Sequence, residues 1–460
     1  MAKSRTSERH HQLTRRALIR WSIATGAALG VSRSKVFDIL SDTAGRDVAY
    51  AAAESSTTRS VHIVAGNGGL AWFQLMWPQV DVALAANPDL AWHRPGEAVE
   101  VIGTARRLVV GPDTPWKNLP PERQVTAFVC GANETHTNQP RSVVGLNGSN
   151  IFSVASALQA AAPSVIPIVT IGDVDIGTAP GGARPANVAS ADGIVGLFNS
   201  AASRANGLLA DASDAALFKA HYDSLIQLNR AANRSTTRAS YLTGQGAAGL
   251  LGTNLAAKLE IKPEDLTRYG VTGATRQNVA NIARALIVTV KAFKMGLTNS
   301  VVLPAMRDDP HGAFTSGDVN LIPGQLRLVF DAFMADLIAT TDDNTLKALA
   351  DDTVITIHGD TPKSPLQRSG WPDGTPGNTN IVYVYGAGHL KSGWFGGISR
   401  DGTVEGFTAT GAPAAYNSAN TARYAMASIA YAIAKRDERA ISTFANGVVV
   451  ANNFGLPKEL

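Results

Sequence analysis

Six short apolar runs recur along the chain, each rich in β-branched residues and each leading into a polar or glycine-containing turn. They are SVHIVAG (60–66), QVTAFVC (124–130), SVIPIVTIG (164–172), NSVVLPA (299–305), DTVITIHG (352–359) and NIVYVYG (380–386). Most are apolar on both faces, which predicts strands covered on both sides, as in a parallel sheet between helices. Pro167 has no amide hydrogen to give to a ladder and predicts an edge position for the third run. Between the runs, apolar residues recur at i, i+3, i+4 and i+7 over 214–234, 275–296, 324–341 and 418–439, which predicts amphipathic helices. Asp214, Thr275 and Ser418 are the expected N-caps and Gly296 the expected C-cap. The alternation predicts an α/β fold: a largely parallel sheet flanked by helices. Residues 173–270 read as a helical, loop-rich insertion with no linker to set them apart, so 54–460 is expected to be a single domain.

The N-terminal 53 residues follow a different pattern. Lys3, Arg5 and Arg9 precede the pair Arg15-Arg16, and a short apolar stretch runs from Trp21 to Val31. A charged segment before a short apolar one is a secretory signal pattern, too short for a stable membrane span. Thr14-Arg15-Arg16-Ala17-Leu18-Ile19 resembles the twin-arginine export motif. The expected location is therefore periplasmic or secreted, with a basic tail that has no export role as the alternative. Ala49-Tyr50-Ala51 and Ala51-Ala52-Ala53 offer small-residue cleavage sites.

The leader also accounts for the basic charge. Of 41 Lys/Arg and 37 Asp/Glu, nine and four fall in residues 1–53, leaving 32 and 33 beyond. The remainder has no positive excess for a nucleic-acid surface. The one cysteine, Cys130, excludes an intramolecular disulfide and a thiolate metal cluster, and its neighbours predict a small buried apolar residue.

In an open α/β sheet ligands bind at the carboxyl ends of the strands, so the residues that follow each run carry the chemistry. These are Gly68-Gly69, then GANETHTNQPR after Cys130, MRDDPHGAF after Ala305, DTPKSP after Gly359 and GAGHLKSGWFGG after Tyr385. Asp308, Asp309 and His311 lie within four residues. They are either metal ligands at the end of a buried strand or an ordinary Asp-Asp-Pro turn.

In this order the motifs resemble a family of twin-arginine-exported bacterial proteins, a domain of unknown function in the alkaline phosphatase and sulfatase clan. The matching pieces are Gly68-Gly69, Asp309-Pro310-His311, Gly359-Asp360-Thr361-Pro362 and the glycine-rich stretch from Gly386 to Gly397. GLNGSNIFSVASAL (145–158) resembles the family's loop-to-helix segment. The resemblance spans roughly 60–440 in short patches and implies an alkaline phosphatase-like fold. This chain departs from the family at three points. Gln74 and Trp77 stand where a ligand aspartate is expected. Asp360 replaces an arginine, and no Asp-His pair follows, since SGWPDGTPGN supplies only Asp373.

The resemblance implies a divalent metal, zinc or another first-row ion, held among aspartates and histidines and activating a Ser or Thr nucleophile. The implied ligands here are Asp309, His311, His358 and Asp360, with His389 or water completing the set if the strands are adjacent. Thr135 and His136 are nearest to the family's Ser-His pair, and Arg141 would pair with a phosphate or sulfate. His389 and Lys391 are candidates for holding an anionic group; the alternative is a glycine-rich bend that packs Trp394 and Phe395. Likewise His358 would serve equally as a buried, hydrogen-bonded neutral histidine. Two functions follow: a metal-dependent phosphate- or sulfate-ester hydrolase with a reduced site, or a non-catalytic extracytoplasmic binding or structural protein that keeps the fold.

Overall fold

All six apolar runs lie in one sheet. The computed structural model describes residues 57–64, 99–133, 144–162, 164–197, 255–304, 321–343, 345–359, 376–399 and 402–458. The main sheet has eight strands: β1 (Arg59–Val64), β2 (Thr126–Ala132), β3 (Ile166–Ile171), β4 (Ala186–Val188), β5 (Thr298–Pro304), β6 (Thr353–His358), β7 (Thr379–Tyr385) and β8 (Gly393–Phe395). Their spatial order is β4-β3-β5-β1-β6-β7-β2-β8. Seven strands run parallel and β7 alone runs against them, between β6 and β2. The central strand β1 is held on both sides, with Ile63 opposite Ile357 of β6 and Leu303 of β5.

Both faces of the sheet are covered, as runs without polar alternation require. One face carries Val61, Ile63, Val301, Leu303, Ile355, Ile357 and Tyr383. It packs under α2 (Ala191–Leu197), α3 (Leu255–Leu259), α5 (Gln277–Lys294) and α6 (Ile322–Ala339), with α4 (Pro263–Arg268) alongside α5. The opposite face carries Val64, Phe128, Val302, Val354, Val382 and Val384 beneath α1 (Ile151–Leu158), α7 (Ser418–Ile433) and α8 (Glu438–Ala445). Cys130 is buried in this second layer. Pro167 sits where β3 meets only β5, because β4 pairs with Val169–Ile171 and stops short of it.

Several local expectations shift. Gly296 follows α5 in the left-handed region at φ 66°, its amide bonded to the Phe293 carbonyl, as a C-terminal glycine should. The residue at the start of α5 is Arg276, because the Thr275 hydroxyl is already taken by the amide of Thr272 in the preceding turn. Asn417, one residue before Ser418, caps α7 by accepting from the Asn420 amide. The single helix expected over 418–439 divides into α7 and α8. Lys435 and Arg436 have positive φ (49° and 67°), and Asp437 then caps α8, accepting from the amides of Arg439 and Ala440. Residues 186–188, within the stretch read as an insertion, form the edge strand β4. The helix expected over 214–234, with its cap Asp214, lies outside the described residues, as does the leader. Among the described residues no helix is long and apolar enough to cross a membrane.

Candidate functional site at the carboxyl edge of the sheet

Because seven strands are parallel, the carboxyl ends of β1, β2, β3, β5 and β6 lie along one edge, together with the amino end of the reversed β7. The segments that leave this edge carry the residues selected from the sequence: 134–143 after β2, 305–320 after β5 and 360–375 after β6. Thr135, His136, Arg141, Asp309, His311 and Asp360 therefore lie outside the described residues. The strands that lead to Asp309-His311 and to His358-Asp360 are not neighbours. β1 stands between them, so the two segments emerge about 10 Å apart at roughly 4.8 Å per strand.

His358 is the last residue of β6 and is buried. Its Nε2 is 2.8 Å from the Thr356 hydroxyl, and the same hydroxyl is 2.7 Å from Nδ1 of His62 in β1. Strand pleating puts all three on one face: Thr356 and His358 are two apart on β6, and His62 is opposite Thr356 in the parallel ladder. Phe152 of α1 closes the group from above, 5.0 Å from the His62 ring and 5.3 Å and nearly perpendicular to that of His358. Desolvation holds the His358 imidazole down at about 3. It also pushes His62 well below the usual histidine range, helped by His358. Both rings are thus neutral at physiological pH. His62 Nε2 is buried with no hydrogen-bond partner among the described residues.

Helix α1 runs back from this edge. It begins beside His358, with Asn150 accepting from the Phe152 amide at 2.9 Å. It leads to Gln159, whose amide reaches the Thr58 carbonyl and Ser60 hydroxyl at the other end of β1. Its N-terminal amides therefore face the carboxyl edge, a geometry that favours negative charge. Beside that end, residues 147–149 and 178–181 line an open cavity of about 740 Å³. The latter segment follows the carboxyl end of β3. The Ser149 hydroxyl lies outside NETHTNQPRS (133–142), the stretch in which the sequence pattern predicts a nucleophile.

His389 and Lys391 are at the opposite edge. The antiparallel β7 ends there, and the chain crosses to β8, whose Gly393 pairs with Thr126 at the start of β2. His389 Nδ1 accepts from Arg436 Nε at 3.2 Å, and Arg436 also donates to the carbonyls of Gly388 and Pro457. Burial, reinforced by the positive charges of Arg436 and Lys435, holds His389 down at about 4. Lys391 Nζ donates to the Asn452 carbonyl. These contacts fasten the C-terminal segment to the sheet. His389 and Lys391, expected to complete a ligand set with His358 or to hold an anionic group, lie away from His358: the length of β6 separates them, about 17 Å for five steps at roughly 3.3 Å each. The bend instead packs as the structural alternative required, with Trp394 against Tyr383 and Phe395 stacked on Phe128.

The chain matches no protein-family model, no curated protein and no solved structure. Its functional reading stands on its own geometry. Among the described residues no three His, Cys, Asp or Glu side chains gather as a metal-binding group. At this edge they supply His358, already tied through Nε2, and, just after β3, Asp173 and Asp175, the latter accepting from the Gly177 amide. The fit of a metal therefore rests on Asp309, His311 and Asp360, and no step is derived through one.

Proposed function

We propose that the chain is an exported, alkaline phosphatase-like protein that hydrolyses phosphate or sulfate esters at the carboxyl edge of its sheet. One observation carries the reading: the sheet order 4-3-5-1-6-7-2-8 with only the seventh strand reversed. The carboxyl ends of β1, β2, β5 and β6 share one edge with the N-terminus of α1, and these are the strands that precede Gly68-Gly69, Thr135-His136, Asp309-His311 and Asp360 in the sequence. Such an edge suits an oxyanion: backbone amides and Arg141 would take the ester oxygens, and a hydroxyl from Thr135 or Ser149 would attack. The twin-arginine leader supports delivery of the folded chain to the periplasm or beyond.

A second reading is favoured by Gln74 where a carboxylate is expected and by the missing Asp-His pair: an extracytoplasmic binding or structural protein that keeps the fold. Turnover of aryl phosphate and aryl sulfate esters by residues 54–460, with divalent metals supplied, separates the two. Turnover abolished by Asp309→Ala upholds the hydrolase. No turnover of either ester class under any metal would leave the binding reading in its place.

A further inference from the structure

The Thr356 hydroxyl stands between two imidazoles, 2.7 Å from His62 Nδ1 and 2.8 Å from His358 Nε2. A hydroxyl has one proton to give, and with no third partner among the described residues it donates to one ring and accepts from the other. With both rings neutral, the two tautomers are locked together. If His62 carries its proton on Nδ1, Thr356 donates to His358 Nε2, and His358 carries its proton on Nδ1. If His62 carries it on Nε2, His358 does the same.

His62 Nε2 decides between these arrangements. Among the described residues it is buried without a hydrogen-bond partner, and the neighbouring Phe152 ring offers only a π face. An orphaned buried N–H is rarer than an under-used acceptor, and a π contact is a second-order substitute. The favoured arrangement leaves a bare lone pair on His62 Nε2. We propose that His62 and Thr356 are positioning residues that hold His358 as its Nδ1–H tautomer, so that the carboxyl edge presents a neutral N–H donor to an oxyanion of phosphate or sulfate type. His358 then lacks the lone pair a metal would need, and any metal at this edge is held by other residues. The inference rests on reading this edge as the site; it does not depend on whether an ester is hydrolysed there.

The test is nitrogen-15 NMR of the full chain with ring-labelled histidines, the nine rings being resolved by His62→Phe and His358→Gln. Near pH 7 His62 and His358 are both expected to be protonated on Nδ1, and Thr356→Val is expected to release His358 into a mixture of tautomers. Inorganic phosphate should move the His358 Nδ1–H signal saturably, and added zinc should leave the ring unmoved. Protonation of both rings on Nε2, different tautomers on the two rings, or zinc bound at His358 Nδ1 would overturn the assignment. A His358 signal indifferent to phosphate would overturn the oxyanion role. The wild-type spectrum decides the tautomers even if Thr356→Val fails to fold. Ester turnover is measured separately, so failure of the hydrolase reading and failure of this one are distinguishable.

Discussion

Replacing Thr356 by valine keeps the shape of the side chain and removes the one hydroxyl that serves both buried histidines. Thr356 is fully buried and no described group is placed to substitute for it. Each imidazole nitrogen left without a partner costs about 1–3 kcal/mol, so with two of them Thr356→Val should destabilise the protein by about 2–6 kcal/mol. Thr356→Ser keeps the hydroxyl and loses one methyl, for which about 1 kcal/mol is the expected cost. The assay is urea unfolding of residues 54–460 near pH 7, followed by far-ultraviolet circular dichroism and by tryptophan fluorescence, with coincident transitions required. In a His62→Phe background, Thr356→Val should cost at least about 1 kcal/mol less, because one of its partners has already gone. A valine variant as stable as the serine variant, or full additivity with His62→Phe, would refute the hydrogen-bonded chain.

Three further outcomes follow from the packing. His62, His358 and His389 all have folded pKa values below their unfolded value of about 6.5, and each takes up a proton on unfolding at mildly acid pH. Stability should therefore be level above pH 7 and fall as pH drops from about 6.5 toward 3, with His358 alone worth about 4–5 kcal/mol across that window; a thermal midpoint unchanged between pH 7 and 5 would contradict this. Arg59 and Asp342 form a buried ion pair, with the guanidinium also over the Phe293 ring at 5.7 Å. Arg59→Met should cost about 3–5 kcal/mol, much of it restored by adding Asp342→Leu, as read from denaturant midpoints. Gly393 has φ 104°, and a Cβ there would stand 2.2 Å from the Arg106 carbonyl oxygen, so Gly393→Ala should lower soluble yield and thermal midpoint sharply.

The fold was legible where burial on both faces wrote itself into composition. Six apolar runs predicted six strands of one sheet, and the helices over 277–294 and 322–339 followed from their periodicity. Strand direction was not legible: NIVYVYG reads the same whichever way it runs, so the reversal of β7 had no signal, and with it went the placement of His389 and Lys391. The short strands Ala186–Val188 and Gly393–Phe395 were too brief to carry a period. At the site, the sequence selected His358 from its place at the end of an apolar run. It passed over His62, although a histidine in SVHIVAG between the buried Val61 and Ile63 needs a partner inside the core. Its partner Thr356 is almost 300 residues away, and only the pairing of β1 with β6 brings them together.

An oxyanion-ester site at the carboxyl edge, as proposed, would be served by Asp309 and His311, with His358 as a donor. The most direct measurement is the metal content of residues 54–460, purified without chelator or affinity-tag histidines, beside Asp309→Ala/His311→Ala and His358→Gln. The expected result is a stoichiometric first-row metal that the double variant loses and His358→Gln retains. Metal absent from the unaltered protein, or held equally well by the double variant, would contradict it.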